Sequence, residues 1–150
     1  TAAGCQLISS CDLAYSSSRA KYATPGVNIG LFCSTPMVPL SRTVGKKQAM
    51  EMLLTGDLID ANKALRIGLI NDVFEEDNLK ENVFQIAKKI SSKSSNTIKI
   101  GKEAFYKQKD MNLEDAYTFT SKVMTENMLH DDSKEGIDAF LEKREPNWKE

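Results

Sequence analysis

Thr1-Ala2-Ala3-Gly4-Cys5-Gln6-Leu7-Ile8-Ser9-Ser10-Cys11-Asp12 is the stretch on which the fold turns, because three small residues lead into an amphipathic turn of helix. Ala2, Ala3 and Gly4 leave the first N–H groups of a helix uncovered, and the helix dipole adds to their pull on negative charge. Donors of this kind suit a carbonyl oxygen that gains charge during reaction, which is the physics of an oxyanion site. Helical side chains lean toward the N-terminus, so Gln6 is expected above Ala2 and Ala3, beside whatever those N–H groups hold. Small residues at a helix start also serve plain tight packing, and this stretch alone leaves both uses open.

Around that stretch lies a chain of ordinary globular composition: 150 residues, 41% apolar and 27% charged. One domain with an affordable core is the natural expectation at this length. A formal net charge of -1 gives no electrostatic footprint for nucleic acid or an anionic membrane, and the pairs Lys46-Lys47 and Lys88-Lys89 read as solvated helix faces. Three cysteines, at positions 5, 11 and 33, make an odd count without CxxC spacing, which argues against a disulfide framework or a zinc site and for a reducing compartment. No apolar run approaches the roughly 20 residues of a membrane span, and no signal or transit segment is read in the chain. With no strand ahead of it to deliver the opening helix, the chain is expected to be the second half of something larger.

Two regimes follow in order. Asp12 to Tyr15 and Ala20 to Ala23 are strand-like, separated by the polar turn Ser16-Ser17-Ser18-Arg19, and Thr24-Pro25-Gly26 stops the second strand. From Thr35 onward the pattern is nearly all helical. Thr35 before Pro36 predicts an N-cap with proline at the first helical position, and Gly45 and Gly56 predict helix ends. Asp60 is expected to cap a short helix that Gly68 terminates, ahead of a strand over Ile70 to Phe74. Leu79, Val83, Ile86, Ala87 and Ile90 recur at helical spacing and predict one buried stripe. Ser95 and Asn96 offer caps for the next helix, Leu113 to Met128 predicts a long one, and Ile137, Phe140 and Leu141 a last one that Pro146 ends.

Familiar catalytic constellations are absent. His130 is the sole histidine, beside Asp131 and Asp132, and reads as a solvated or capping side chain, because a triad or metal site needs partners the pattern does not place. No phosphate-binding glycine loop occurs. Cys5 and Cys33 could line one pocket, although small buried cysteines are commoner than reactive ones.

The order Ala3-Gly4-Cys5-Gln6-Leu7 with Asp12-Leu13-Ala14, then Tyr22-Ala23-Thr24-Pro25-Gly26-Val27 with Gly30, then Met50-Glu51-Met52-Leu53 with Thr55-Gly56 and Ala64 with Gly68-Leu69-Ile70, resembles the C-terminal half of the crotonase family, the enoyl-CoA hydratases and isomerases. Glu135-Gly136-Ile137 and Ala139 to Arg144 extend the match to the tail. The resemblance implies an α/β protein: a crotonase-like ββα superhelix, of which residues 1–74 form the C-terminal part of the core, followed over residues 75–150 by a C-terminal helical trimerisation region. It implies a homotrimer or hexamer, an acyl-CoA or enoyl-CoA thioester as ligand or substrate rather than a cofactor, no metal, and a mitochondrial role in fatty acid metabolism.

Family members polarise the thioester carbonyl with two backbone N–H groups. By resemblance one of them is that of Ala3, and the other falls outside these residues. Lys143 matches a basic position that reaches the CoA of a neighbouring subunit, where an ammonium meets phosphate; a surface lysine of an amphipathic helix is the competing reading. The family's two glutamates align with Gln6 and Gly26, and neither of these can move a proton. Leu31-Phe32-Cys33-Ser34-Thr35-Pro36 replaces the family's glycine-rich segment, so the pocket wall must differ. Binding and carbonyl polarisation are therefore expected to survive where hydration is not. Active chemistry through other residues, or a purely assembling role, are the alternatives.

Overall fold

Two short strand pairings tie distant stretches of the chain together in a computed structural model that describes residues 1–149. Strand β1 (Tyr15–Ser17) runs parallel to β4 (Asp72–Phe74), with Tyr15 opposite Asp72 and Ser17 opposite Phe74. Strand β2 (Lys21–Tyr22) runs antiparallel to β3 (Ile59–Asp60). Helix α1 (Ala3–Ser10) precedes the strands, and the 3-10 helix Pro25–Ile29, α2 (Ser34–Thr43), α3 (Lys46–Thr55) and α4 (Ala61–Arg66) fall between them in the chain. A parallel pair of strands needs a long crossover, and here helices supply it, which makes the arrangement α/β.

Leu40, Met52, Leu53 and Cys5 are the largest apolar side chains fully buried in this unit, and they join Tyr22, Ile59, Leu69 and Ile70 in one core. Helix α1 packs along α2, and α3 packs against the 3-10 helix. The core therefore fixes the start of α1 relative to the loop that follows Pro25.

Several local expectations are met and others are corrected. Gly56 ends α3 in the left-handed conformation at φ 65, and the Asp60 carboxylate accepts from the Lys63 N–H at 2.7 Å as the cap of α4. Gly45 does not terminate α2. That helix ends at Thr43 with Val44 extended, and Gly45, at φ -60, starts α3; an added Cβ there would lie 2.7 Å from Gln48 Oε1. Thr35 is not the cap of α2, which starts at Ser34 after Cys33, because proline is tolerated anywhere in a first turn whose N–H groups are unbonded. Ser16 and Ser17 belong to a strand rather than a turn. Ser16 is buried, and its hydroxyl accepts from Tyr22 OH at 2.6 Å, so the polar residue is satisfied inside.

The described chain forms two compact units, Thr1–Gln85 and a second from Ile86 onward. The break between these units falls inside helix α5 (Glu76–Ser91). Its first turn is tied back to the strand region: Ser17 donates to Glu76, Ser18 to Glu75 at 3.0 Å, and Arg19 pairs with Glu76 at 3.4 Å.

The second unit holds the end of α5, then α6 (Ser95–Gln108), α7 (Leu113–Met128) and α8 (Asp131–Glu142). Ser94, not Ser95 or Asn96, caps α6, accepting from Thr97 at 3.0 Å while donating to the buried Asp132 carboxylate at 2.5 Å. His130 caps α8. Lys143, in the left-handed region at φ 55, ends α8, so the helix stops before Pro146 is reached. The chain after it is clasped back: Arg144 grips Glu135 at 2.6 and 3.1 Å, Asn147 N–H donates to Glu135 at 2.7 Å, and Trp148 Nε1 donates to the Ser92 carbonyl at 2.8 Å. No residue of α5, α6 or α7 is fully buried. Within the expected stripe of α5, Leu79, Val83 and Ile86 are half-buried and Ala87 and Ile90 exposed, so it lacks a full covering.

Candidate functional site

The start of α1 is held by an unusual backbone. Ala2 has φ 44 and ψ -108, a region in which a side chain is strained, and two bonds keep it there: its N–H donates to the Ala23 carbonyl at 2.9 Å, and its carbonyl accepts from Gln6 N–H at 3.0 Å. Gly4 N–H donates to the Thr1 carbonyl at 2.8 Å. Of the three donors expected to be free, Ala2 and Gly4 are thus engaged. The Ala3 N–H has no acceptor among the described residues.

Ala3 lies on a groove of about 630 Å³ whose other walls are Ala2, Gln6, Pro25, Gly26, Asn28, Ile29 and the run Leu31 to Pro36. Gln6 and Gly26, far apart in sequence, therefore share one cavity with Ala3. No Asp, Glu, His, Lys or Arg is among its lining residues. The Gln6 carboxamide is half-buried and has no hydrogen-bond partner among the described residues.

Gly26 sits in the 3-10 helix Pro25–Ile29, against the loop that follows it. Its carbonyl accepts from Leu31 N–H at 3.0 Å and its N–H donates to Cys33 Sγ at 3.3 Å. An added Cβ would lie 2.7 Å from the Leu31 carbonyl oxygen and 2.9 Å from Cys33 Sγ, so glycine is required here by space. Cys33 thus lines the groove, whereas Cys5 is buried in the core and donates to the Ala23 carbonyl at 3.2 Å. The closeness of Gly26 and Cys33 has no signal in the sequence, since it depends on how the loop folds back. What the groove can do is accept an apolar ligand and offer a backbone donor and neutral amides; its lining side chains provide no carboxylate or imidazole for proton transfer.

The enoyl-CoA hydratase/isomerase family profile matches residues 1–150. This chain belongs to the enoyl-CoA hydratase/isomerase family. It is 52% identical over 148 residues to the mitochondrial enoyl-CoA hydratase domain-containing protein 3 of Mus musculus, covering 99% of this chain and 49% of that protein. It is 36% identical to the mitochondrial enoyl-CoA hydratase of Pongo abelii, covering 98% of this chain and 51% of that protein. Among solved structures, an enoyl-CoA hydratase of Mycobacterium smegmatis superposes with a TM-score of 0.95 at 44% identity, covering 98% of this chain and 57% of that one. The human enoyl-CoA hydratase domain-containing protein 3 superposes with a TM-score of 0.95 at 51% identity, over 98% and 58% of the two chains. The crotonase fold is thereby established, and the chain spans about half the length of the curated relatives it matches.

The remaining family expectation concerns Lys143. It is an exposed residue of the second unit, carried on the left-handed turn that ends α8. Among the described residues no helix is long and apolar enough to cross a membrane, and no group of three or more His, Cys, Asp or Glu side chains is arranged to hold a metal ion.

Proposed function

We propose that the groove receives the acyl end of a CoA thioester, whose carbonyl oxygen accepts a hydrogen bond from the Ala3 N–H, and that these residues bind and polarise the thioester without hydrating it. The observation that carries this reading is an unpaired backbone donor on a mostly apolar groove whose lining includes no carboxylate. Preorganised N–H donors stabilise charge that develops on a carbonyl oxygen. Proton transfer at Cα and Cβ needs an acid or base of suitable pKa, which Gln6 and Gly26 do not provide; general acid–base catalysis typically contributes about 10²–10⁴-fold. Family membership supports CoA thioesters as the ligand class, and relatives named as mitochondrial support a mitochondrial location, with fatty acid metabolism as the role proposed there.

Assembly into a homotrimer or hexamer is part of the same proposal. It is supported by apolar side chains on the second unit that lack a covering, Leu129 at 83% and Phe140 at 82% exposure among them. Lys143, exposed at the end of α8, would then meet the CoA phosphates of a neighbouring subunit. The test is a calorimetric titration of the full chain with butyryl-CoA, with crotonyl-CoA turnover followed in the same samples. Saturable binding without turnover is expected; no binding, or hydration well above the uncatalysed rate, overturns the reading.

A further inference from the structure

We infer that Gln6 makes the site selective for acyl thioesters that carry a hydrogen-bond acceptor on C3, the 3-oxoacyl class, over their saturated counterparts. The inference rests on the thioester reading above and adds a substrate class to it. Gln6 stands three residues after Ala3 on α1, helical side chains lean back over the preceding turn, and both residues line the one groove. Positions three apart on a helix face have Cβ atoms about 5–6 Å from each other. One 1,3-dicarbonyl unit can therefore set one oxygen on the backbone donor and turn the other toward the side-chain amide of the same groove.

The identity of the side chain selects the oxygen. A carboxylate only accepts hydrogen bonds, so it favours a hydroxyl or water near C3 and repels a carbonyl. A carboxamide presents two N–H donors, and those of Gln6 have no partner among the described residues. The residues around it, Ala2, Pro25, Leu31 and Phe32, supply no competing charge. A saturated chain offers the Gln6 donors no acceptor, so it forgoes the hydrogen bond that a C3 oxygen makes.

The experiment is isothermal titration of the full chain with butyryl-CoA and 3-oxobutyryl-CoA, repeated on Gln6→Met and Gln6→Glu. A neutral hydrogen bond of ordinary strength predicts that the parent binds the 3-oxo thioester about three- to tenfold more tightly. The ratio should fall to about one in Gln6→Met, and Gln6→Glu should invert it, by the donor and acceptor inventory of the two side chains. Equal affinities in the parent overturn this inference and leave thioester binding standing. A parent that binds neither compound overturns the thioester reading itself. A preference that persists in Gln6→Met also overturns the assignment, because another group then reads the C3 oxygen.

Discussion

At the scale of single residues, Gly26 is the most restrictive position in the groove. Its missing side chain leaves room for the Leu31 carbonyl and Cys33 Sγ, at 2.7 and 2.9 Å from where a Cβ would lie. Gly26→Ala should therefore destabilise the protein by about 1–3 kcal/mol, the usual cost of overpacking, as read by urea denaturation. Restoring two carboxylates with Gln6→Glu and Gly26→Glu meets the same obstacle, since the larger side chain must displace a backbone carbonyl. We expect no measurable gain in crotonyl-CoA hydration from that double variant, and a gain accompanied by retained stability would refute the steric account. Ala2 offers the opposite change. Its φ of 44 suits glycine, so Ala2→Gly should raise thermal stability, relieving strain of about 1–3 kcal/mol less the entropy that glycine adds.

The residue scale also marks the limit of the sequence. Small residues before Gln6 pointed to donors at a helix start, yet which donors stay free depends on Ala23, whose carbonyl takes the Ala2 N–H from a distant segment. Likewise a glycine at position 26 is legible as a missing glutamate by resemblance, but the sulfur that packs against it is not. No local pattern encodes a contact made by a loop folding back on itself.

Secondary-structure elements were legible where chemistry is local. Asp60 before Ala61, and Gly56 after Thr55, act through their own neighbours, and both do what their residue types predict. Asp60→Ala should cost about 1 kcal/mol, the typical worth of an N-cap, measured as a shift in the urea midpoint at constant slope. Elements were misread where tertiary pairing decides: Ser16 and Ser17 look like turn residues until Tyr22 and β4 satisfy them.

The clasp at the end of α8 yields a pH prediction. Hydrogen bonds from Arg144 and from the Asn147 N–H hold the Glu135 carboxyl at about 2, below its ordinary 4.5. A carboxylate whose pKa is depressed on folding contributes stability above its unfolded value and loses it as pH falls through the folded one. The clasp should thus hold above pH 4.5 and open between 4.5 and about 2. Trp148, the sole tryptophan, sits in the clasp and donates to Ser92, so its emission should shift to the red across that window. Glu135→Gln should flatten the transition; an unchanged profile would show that the ion pair does not hold the tail.

For the whole molecule, the crotonase fold was legible because motifs spread from Ala3 to Arg144 occur in the family's order, and family membership bears that out over residues 1–150. The pairing of β1 with β4 was not legible, since the strands are short and lie far apart in the chain. Exposed apolar side chains on α7 and α8, such as Tyr117, Met124, Phe140 and Leu141, are more than a solvated surface requires. Light scattering of the full chain should give a mass above that of a monomer, and Phe140→Glu should lower it; a monodisperse monomer would contradict subunit packing.

The central claim is that a thioester carbonyl is held and polarised at Ala3 while no proton moves. The most direct measurement is the ultraviolet difference spectrum of crotonyl-CoA mixed with the full chain, because a hydrogen-bonded carbonyl shifts the conjugated absorption to the red and hydration abolishes it. The account predicts a saturable red shift that persists unchanged with time. An absorption that stays unshifted at saturating protein, or one that decays as the double bond is hydrated, would contradict it.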